Sequence, residues 1–356
     1  MIKAITFNIL SPQLCNPIEF LDYSSEYLDR SFRKVRITSL INEWTSMVDQ
    51  PIISLQEVPF GWKNDLEKLF FSKEYRFYCV NYGSKYNGYF GVGIGIPKFY
   101  KALKIEQLLV GEYIKNNDSE HVYELKLHQV NEFLESLKNV VDFVKETNMT
   151  ETKEVLASFG DISWNNLIQS HDEFVSNSSE LILEAKNRSN FTIRLLLKDE
   201  RNGKKFYIYN YHMPCTFRKP IIQTLHLDAL KVLMGEHLNI PTIFMTDFNL
   251  TPKSIGYNFL VNGFLPNEHK NYLKWEDHSR ITMESTYKKV NKMEPQFTCF
   301  STTQNGGIFC DCLDYIFVSS HFTVLDSELL LRSVDKMPNA DCPSDHLPIC
   351  STLRLD

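Results

Sequence analysis

Six short polar segments in this 356-residue chain each stand where an apolar run ends. Buried strands that end in polar residues commonly bring their chemistry to one edge of a fold. Carboxylates and carboxamides suit a hard divalent cation, and imidazoles can face a phosphate. The six segments contribute Asn8 in FNIL, Glu57 in LQEV, His212 in NYHMPC, Asp247 and Asn249 in TDFN, Asp314 in LDYIF, and Asp345 and His346 in PSDHLPI. This set holds nearly every residue type that metal-assisted phosphodiester hydrolysis requires.

The composition limits the kinds of protein that this chain can be. With 43% hydrophobic residues, the chain can bury a large core, and its length suits one large α/β domain or two smaller ones. The 38 basic and 44 acidic residues give a net charge of -6, so a nucleic-acid ligand would need a local basic patch. The eight dispersed cysteines predict free thiols in a reducing compartment.

Targeting signals and membrane spans are not expected. The first residues, MIKAITFNIL, already form a predicted strand, and no apolar run approaches membrane-spanning length. We therefore expect a cytoplasmic protein without a membrane partner.

Mixed strands and helices predict an antiparallel-rich layered α/β fold rather than a Rossmann sheet. Asn202 and Gly203 mark a hairpin between two β-rich runs. The expected strands cover residues 3–8, 52–56, 90–96, 191–197, 206–211, 242–246, 313–318 and 347–353, and the expected helices cover 32–48 and 221–237.

The segment 112–188 differs in composition from the rest of the chain, being polar and rich in Asn, Ser and Glu. Apolar residues between 130 and 144 keep the spacing of an amphipathic helix. We predict a helical insertion in a single domain that spans 1–356. The helix either buries its apolar stripe against the core or docks a protein partner.

Each candidate residue has a structural alternative. Asp247 and Asn249 at a strand end could together hold one water or phosphate oxygen, but an Asx turn would also explain them. Glu57 lies in an apolar stretch and needs a partner such as a cation, unless it follows an edge strand at the surface. Asn8 could support that cation or simply form a turn.

The histidines divide into two groups. His346 follows Asp345, with Asp314 upstream, and a carboxylate that holds the ring keeps imidazole poised near neutral pH. His212 leaves a strand in the same manner. The other eight histidines lack such partners and are interpreted as structural or surface residues.

Two patches are candidates for substrate contact. The first is a basic run from residue 30 to 36, which could equally be the solvated start of a helix. The second is an aromatic cluster from residue 82 to 90, which could stack bases or cover the core as a hairpin. The predicted contact residues are Arg33, Lys34, Tyr89, Phe90 and Phe217.

Taken together, these motifs resemble the endonuclease/exonuclease/phosphatase (DNase I-like) superfamily, and within it the branch of the poly(A) deadenylases, nocturnin and the 2′,5′-phosphodiesterases. The resemblance runs from FNILSPQL through the Phe32-Arg33-Lys34 element, LQEV and TDFN to LDYIF and PSDHLPI. The chain departs from the branch at Tyr211 and Thr246, where threonine and glycine are usual. These departures bear on the substrate rather than on the catalytic class.

The resemblance implies a two-layer α/β sandwich of two mixed, largely antiparallel sheets flanked by helices. It implies Mg²⁺, or Mn²⁺ as the alternative, bound chiefly through Glu57 with Asn8 nearby. Asp247 and Asn249 would orient and activate the attacking water. His212 and His346 would stabilise the transition state, with Asp314 or Asp345 orienting His346.

The predicted function is hydrolysis of RNA from its 3′ end, in the manner of a deadenylase or a 2′,5′-oligoadenylate phosphodiesterase. One alternative keeps the machinery and changes the substrate to a phosphoinositide, a sphingolipid or abasic DNA. Another is a catalytically silent module that binds RNA or protein.

Overall fold

The computed structural model describes residues 1–15, 20, 23–114, 180–266, 281–302, 307–333 and 335–356. Two six-stranded mixed sheets pack face to face, with helices on their outer faces. This confirms the predicted two-layer α/β sandwich.

The described strands fall into the two sheets and one separate hairpin. They are β1 (Ile2–Asn8), β2 (Ile52–Val58), β3 (Tyr75–Asn81), β4 (Gly91–Pro97), β5 (Tyr100–Leu109), β6 (Phe191–Asp199), β7 (Lys205–His212), β8 (Thr242–Asp247), β9 (Glu284–Ser285), β10 (Cys299–Thr302), β11 (Ile308–Asp311), β12 (Asp314–Val318), β13 (Phe322–Leu329) and β14 (Ile349–Leu355). The labelled helices are α1 (Ser25–Leu28), α2 (Arg30–Thr45), α3 (Lys63–Ser72), α4 (Pro220–Gly235), α5 (Ile255–Asn262) and α6 (Thr286–Asn291).

Each sheet contains one parallel pair among its described strands. The first sheet has the order β13-β14-β1-β2-β4-β3, in which β1 and β2 are parallel. The second has the order β5-β6-β7-β8-β12-β9, in which β7 and β8 are parallel. The remaining pairs within these two sheets are antiparallel, so the sheets are mixed as predicted.

The core lies between the sheets. Their inner faces are lined by buried aliphatic residues, including Ile94, Ile208 and Ile316. Two further apolar layers form where α2 and α3 cover the first sheet and α4 and α5 cover the second. Burying each such side chain contributes about 1.5–3 kcal/mol, which makes the layered arrangement the stable one.

Helix α2 begins and ends earlier than its periodicity predicts. The Asp29 side chain accepts a hydrogen bond from Phe32 N at 2.8 Å, which caps a start at Arg30. The helix ends at Thr45, and Val48 is fully exposed beyond it. The apolar spacing that reached Val48 was therefore coincidental.

The predicted insertion lies largely outside the described residues. The expected helix between 130 and 144 falls there, and the single-domain organisation and the 112–188 insertion stay predictions. Residues 180–186, at its end, are helical. None of the helices in the described ranges combines the length and the apolar character needed to cross a membrane.

A buried histidine makes stability depend on pH. His226 has no solvent exposure, receives the Tyr211 hydroxyl at Nδ1 (2.6 Å) and donates from Nε2 to the Ala185 carbonyl (2.9 Å). Burial lowers the pKa of His226 to about 4. Between that value and about 6.5 the unfolded chain binds a proton that the folded chain excludes, so the stabilisation is lost as the pH falls.

We predict that wild type loses about 2 kcal/mol from this residue between pH 7 and pH 5, and that His226→Gln does not. Urea unfolding of both proteins at the two pH values measures the difference, with His321→Gln as the matched control. Equal pH slopes for wild type and His226→Gln would contradict the assignment.

Candidate active site

Strand register explains why segments far apart in the sequence meet. The parallel pairing of β1 and β2 brings Asn8 and Glu57 to the same edge of the first sheet. In the second sheet His212 pairs with Asp247 at the carboxyl ends of β7 and β8, and Asp314 begins β12 opposite Asp247. The structure therefore brings these residues to one end of the sandwich.

Asp247 lies at the centre of the cluster and is 1% exposed. Its Oδ2 accepts a hydrogen bond from Asn8 Nδ2 at 2.8 Å, and lies 3.5 Å from His212 Nε2 and 3.8 Å from His346 Nε2. Its Oδ1 accepts the N–H of Asn249 at 3.1 Å. Four of the predicted residues thus surround one buried carboxylate.

Glu57 reaches the cluster through a bulge in β2. Its φ of +56° is in the left-handed region, which is strained for a residue with a side chain, and the register against β4 shifts at this point. The carboxylate accepts the Ser11 N–H at 2.7 Å and the Asn8 amide at 3.2 Å. Asn249 has the same backbone conformation, with φ +46°. Glu57 and Asn249 are thus two of the six described non-glycine residues with positive φ, and the sequence marks both as candidates for function.

Asn8 bridges two candidate ligands. Its side-chain nitrogen donates to both Glu57 and Asp247, and its oxygen accepts the Leu10 N–H at 2.9 Å. A carboxamide oxygen can accept at two positions, so the predicted place of Asn8 next to a cation stays a prediction. Its two donated hydrogen bonds hold the Glu57 and Asp247 carboxylates in place.

Asp314 orients His346. The His346 Nδ1 lies 2.7 Å from Asp314 Oδ2, which also accepts a hydrogen bond from Thr298 Oγ1 at 2.6 Å. Asp345 Oδ1 lies 3.9 Å from the other ring nitrogen, Nε2. Of the two carboxylates that the sequence leaves open for this role, the geometry favours Asp314. Burial lowers the pKa of His346, but the charge of Asp314 and the neighbouring carboxylates outweighs burial and raises it well above its usual value.

His212 is supported by an aromatic ring rather than by a carboxylate on its far side. Phe90 packs against the imidazole with ring centroids 5.5 Å apart, and it is only 8% exposed. The prediction that Phe90 contacts substrate is therefore corrected, because the ring is buried against the histidine. The members of the aromatic cluster differ in exposure. Tyr82 and Phe90 are buried, whereas Tyr86 and Tyr89 are more than half exposed.

Arg33 is also a correction. We expected it on a basic surface, but it has no solvent exposure. Its guanidinium donates to the carbonyls of Ile9 (2.7 Å), Leu10 (2.5 Å) and Pro343 (2.7 Å). These carbonyls belong to the loops that follow Asn8 and precede Asp345, so Arg33 clamps two site loops together.

Lys34 points to the outer surface of α2, where it pairs with Asp65. It therefore lies on a different face of the helix from Arg33, and nothing in its described contacts brings it to the cluster. Its predicted role in binding substrate finds no support in this geometry.

Several residues of the site carry no signal in the sequence. Phe309 on β11 packs against Phe217 with centroids 5.8 Å apart, and Phe217 is 51% exposed. The β10–β11 hairpin is anchored to the site because the Thr298 N–H donates to the Asp311 carbonyl and the Thr298 hydroxyl holds Asp314. Ser344 Oγ donates to the Asn8 carbonyl at 2.6 Å. Only their position in space, and no motif, associates these residues with the cluster.

The charges of the site fit a divalent cation. Burial raises the pKa of Glu57, Asp314 and Asp345 because it disfavours their charged forms, and a bound cation would favour those forms. Ligand atoms of Asp247, Asp314 and His346 lie within 4.8 Å of one another. Carboxylate oxygens are the ligands that hard divalent cations prefer, so the donor set fits such an ion.

A family model covers more than half of the chain. Residues 138–346 of the 356-residue chain match the model of a family described as "Endonuclease/Exonuclease/phosphatase family". The chain belongs to the endonuclease/exonuclease/phosphatase family. This membership places it among metal-dependent hydrolases that act on ester bonds, and the acidic cluster is a possible metal site.

Relatives in this family include nucleases and phosphodiesterases. The chain is 25% identical over 228 residues to 2′,5′-phosphodiesterase 12 of Bos taurus, covering 57% of this chain and 36% of that protein. It is 24% identical over 221 residues to the CCR4-Not complex 3′-5′-exoribonuclease subunit Ccr4 of Mycosarcoma maydis, covering 50% of this chain and 32% of the relative. The chain thus spans about a third of the length of these two relatives.

Solved structures of the family share the fold. The crystal structure of ANGEL2, a 2′,3′-cyclic phosphatase, in complex with adenosine-2′,3′-vanadate superposes with a TM-score of 0.66 at 17% identity, over 99% of this chain and 95% of that one. The structure of the human Nocturnin catalytic domain with bound sulfate superposes with a TM-score of 0.60 at 17% identity, over 100% of this chain and 93% of that one. At this identity the likeness establishes the family fold.

The Arg33 clamp makes a prediction about stability. Arg33→Met leaves three buried carbonyls without their donor, and we expect it to lower the free energy of unfolding by about 3 kcal/mol or more. Lys34→Ala, the neighbouring control, removes only an exposed ion pair and should cost less than about 1 kcal/mol. Urea unfolding measures both. Wild-type stability in Arg33→Met would contradict the conclusion that Arg33 holds the two loops together.

Proposed function

We propose that this protein is a Mg²⁺-dependent phosphodiesterase that hydrolyses RNA from its 3′ end, with oligoadenylate as a favoured substrate. The observation that carries the proposal is the convergence of a carboxylate, Asp247, with two imidazoles and the Glu57 carboxylate in one buried cluster. These groups supply what in-line attack of water on a phosphodiester needs.

Asp247 is proposed to orient the attacking water and to take its proton. Its carboxylate is fixed by donors on both oxygens, from Asn8 and from the Asn249 backbone. Asn249 is itself fixed, because its side-chain amide donates to the Met213 carbonyl at 2.9 Å. A carboxylate held in this way loses little entropy when it positions a reactant.

His212 and His346 are proposed to donate hydrogen bonds to the phosphoryl oxygens. The Nε2 atoms of both rings face the same oxygen of Asp247, so a substrate seated beside this carboxylate would be within reach of both. Asp314 accepts from Nδ1 of His346, which fixes the ring and favours its charged form. Donors directed at charge that develops in the transition state are commonly worth factors of about 10²–10³ each.

Glu57 is proposed to hold the cation, with Asn8 orienting the Glu57 carboxylate. When bound, the ion would polarise the phosphoryl group and neutralise the charge that develops on it. Mn²⁺ is the alternative ion, because it also prefers oxygen ligands.

The choice of RNA as substrate has two supports. The names of two relatives, a 2′,5′-phosphodiesterase and a 3′-5′-exoribonuclease subunit, describe enzymes that cleave nucleotide chains. In addition, Phe217 packs on Phe309 of the hairpin that pairs with His346, and Tyr89 is 52% exposed. Aromatic side chains of this kind stack unpaired bases.

Catalytic roles predict large losses of turnover. Asp247→Asn and His346→Ala should each lower kcat for labelled oligoadenylate by about 10²–10⁴-fold, because each removes a group used in the transition state. His321→Ala is the control histidine, since it lies in the turn before β13. Chelation should abolish wild-type cleavage and added Mg²⁺ should restore it. Wild-type rates in either site variant would refute the assigned roles.

The substrate is tested on a panel of ligands with the wild-type protein. We expect cleavage of 3′,5′- or 2′,5′-linked oligoadenylate to exceed that of 2′,3′-cyclic phosphate ends, an abasic DNA duplex and a phosphoinositide headgroup. Phe309→Ala should raise KM for oligoadenylate about tenfold or more, since stacking contributes about 1–3 kcal/mol per base. Ile308→Ala, at an exposed neighbouring position, is the control. Faster hydrolysis of the lipid headgroup or of abasic DNA would overturn the choice of RNA.

A further inference from the structure

A thiol lies beside the imidazole of His346. Cys299, the first residue of β10, is 5% exposed and forms an antiparallel bridge with His346. Residues directly opposite each other in such a bridge project their side chains to the same side, with Cβ atoms about 4.5–5.5 Å apart. Two further backbone bonds flank the bridge, from Phe300 N to the Asp345 carbonyl (3.1 Å) and from Leu347 N to the Thr298 carbonyl (2.7 Å). The backbone therefore holds the thiol and the imidazole in contact range.

A carboxylate completes a set of three ligands. One ligand atom from each of Cys299, Asp345 and His346 lies within 4.8 Å of the others. Bonds of about 2.0–2.3 Å from Zn²⁺ to such atoms would place them about 3.3–3.8 Å apart, so side-chain movements of about 1 Å would close the site. All three residues sit on paired backbone, and little rearrangement is required.

The outer contacts of His346 also match a zinc ligand. Histidines that bind zinc usually donate their other ring nitrogen to a carboxylate. Here Asp314 Oδ2 lies 2.7 Å from Nδ1, which leaves Nε2 for a metal, and Asp345 Oδ1 lies 3.9 Å from that nitrogen. Asp247 Oδ2, at 3.8 Å from Nε2, is available as a fourth ligand.

The ligand types select against the proposed catalytic ion. Mg²⁺ and Mn²⁺ favour oxygen, whereas a thiolate with an imidazole favours Zn²⁺. Binding would release the Cys299 proton to solvent and occupy Nε2 of His346, the atom proposed to stabilise the transition state. A soft metal at this position would therefore stop hydrolysis while leaving the Glu57 side of the cluster unchanged.

We propose that Cys299, Asp345 and His346 form an inhibitory Zn²⁺ site that overlaps the catalytic imidazole. The inhibitory part of this inference rests on the proposed function, whereas the binding part does not. Cys299 takes no part in the proposed hydrolysis and serves as the selective ligand for the soft metal.

Binding is tested without any measurement of turnover. Cd²⁺ replaces Zn²⁺ as a probe, and its thiolate charge-transfer absorption is followed in the ultraviolet. We expect wild type to bind one Cd²⁺ with this absorption, and Cys299→Ser and Cys299→Ala to lose it. Cys310→Ser and Cys215→Ser, which alter the two exposed thiols, should keep it. Loss of the band in Cys215→Ser, or its persistence in both Cys299 variants, would overturn the site.

Inhibition is tested on the Mg²⁺-supported cleavage of oligoadenylate. We expect Zn²⁺ to inhibit wild type, and Cys299→Ser to need at least about tenfold more Zn²⁺ for the same inhibition at unchanged basal rate. Equal sensitivity in the two proteins would overturn the inhibitory role. Absence of any cleavage by wild type would refute the proposed function, and the Cd²⁺ result would still decide the binding site. Anomalous diffraction at the zinc edge from wild-type crystals locates the ion even if both Cys299 variants fail to fold.

Discussion

The side chain of Asn210 joins the two sheets, and the geometry of the site depends on this connection. Asn210 lies on β7 in the second sheet, and its amide nitrogen donates to the carbonyls of Leu55 (2.9 Å) and Gly93 (2.8 Å) in the first. Its oxygen accepts from Gln56 Nε2 at 2.8 Å. Gln56 precedes Glu57, and Asn210 lies two residues before His212. Because an unpaired buried amide is costly, these hydrogen bonds oppose sliding of one sheet over the other next to the candidate site residues Glu57 and His212.

This connection explains why the site can be divided between two layers. Asn8 and Glu57 belong to the first sheet, whereas His212, Asp247 and Asp314 belong to the second. Apolar packing alone is non-directional and would tolerate small shifts between layers. Hydrogen bonds in the buried interface impose a single register, and Arg33 does the same for the loops above it.

The sequence was sufficient to predict the fold class and the polar cluster, because apolar runs indicate the strands and polar residues stand where those runs end. Apolar residues at every second position indicate strands, and parallel pairing brings the carboxyl ends of neighbouring strands together. Arg33 and Phe90 were misread because a sequence shows charge and aromaticity but not burial. Phe309 was missed because about ninety residues separate it from its partner Phe217 and no local pattern connects them. The orientation of the Asn8 amide depends on hydrogen bonds that only coordinates can reveal.

The β10–β11 hairpin has a consequence for how recognition and reaction are related. Its second strand carries Phe309, its first strand pairs with the backbone of His346 at Cys299, and Thr298 at its base holds Asp314. A base that stacks on Phe309 would thus contact the hairpin that pairs with the backbone of His346. Under the proposed function, base recognition and alignment of the His346 imidazole would then be coupled through one hairpin, and a ligand too short to reach Phe309 would react slowly even with its phosphate bound.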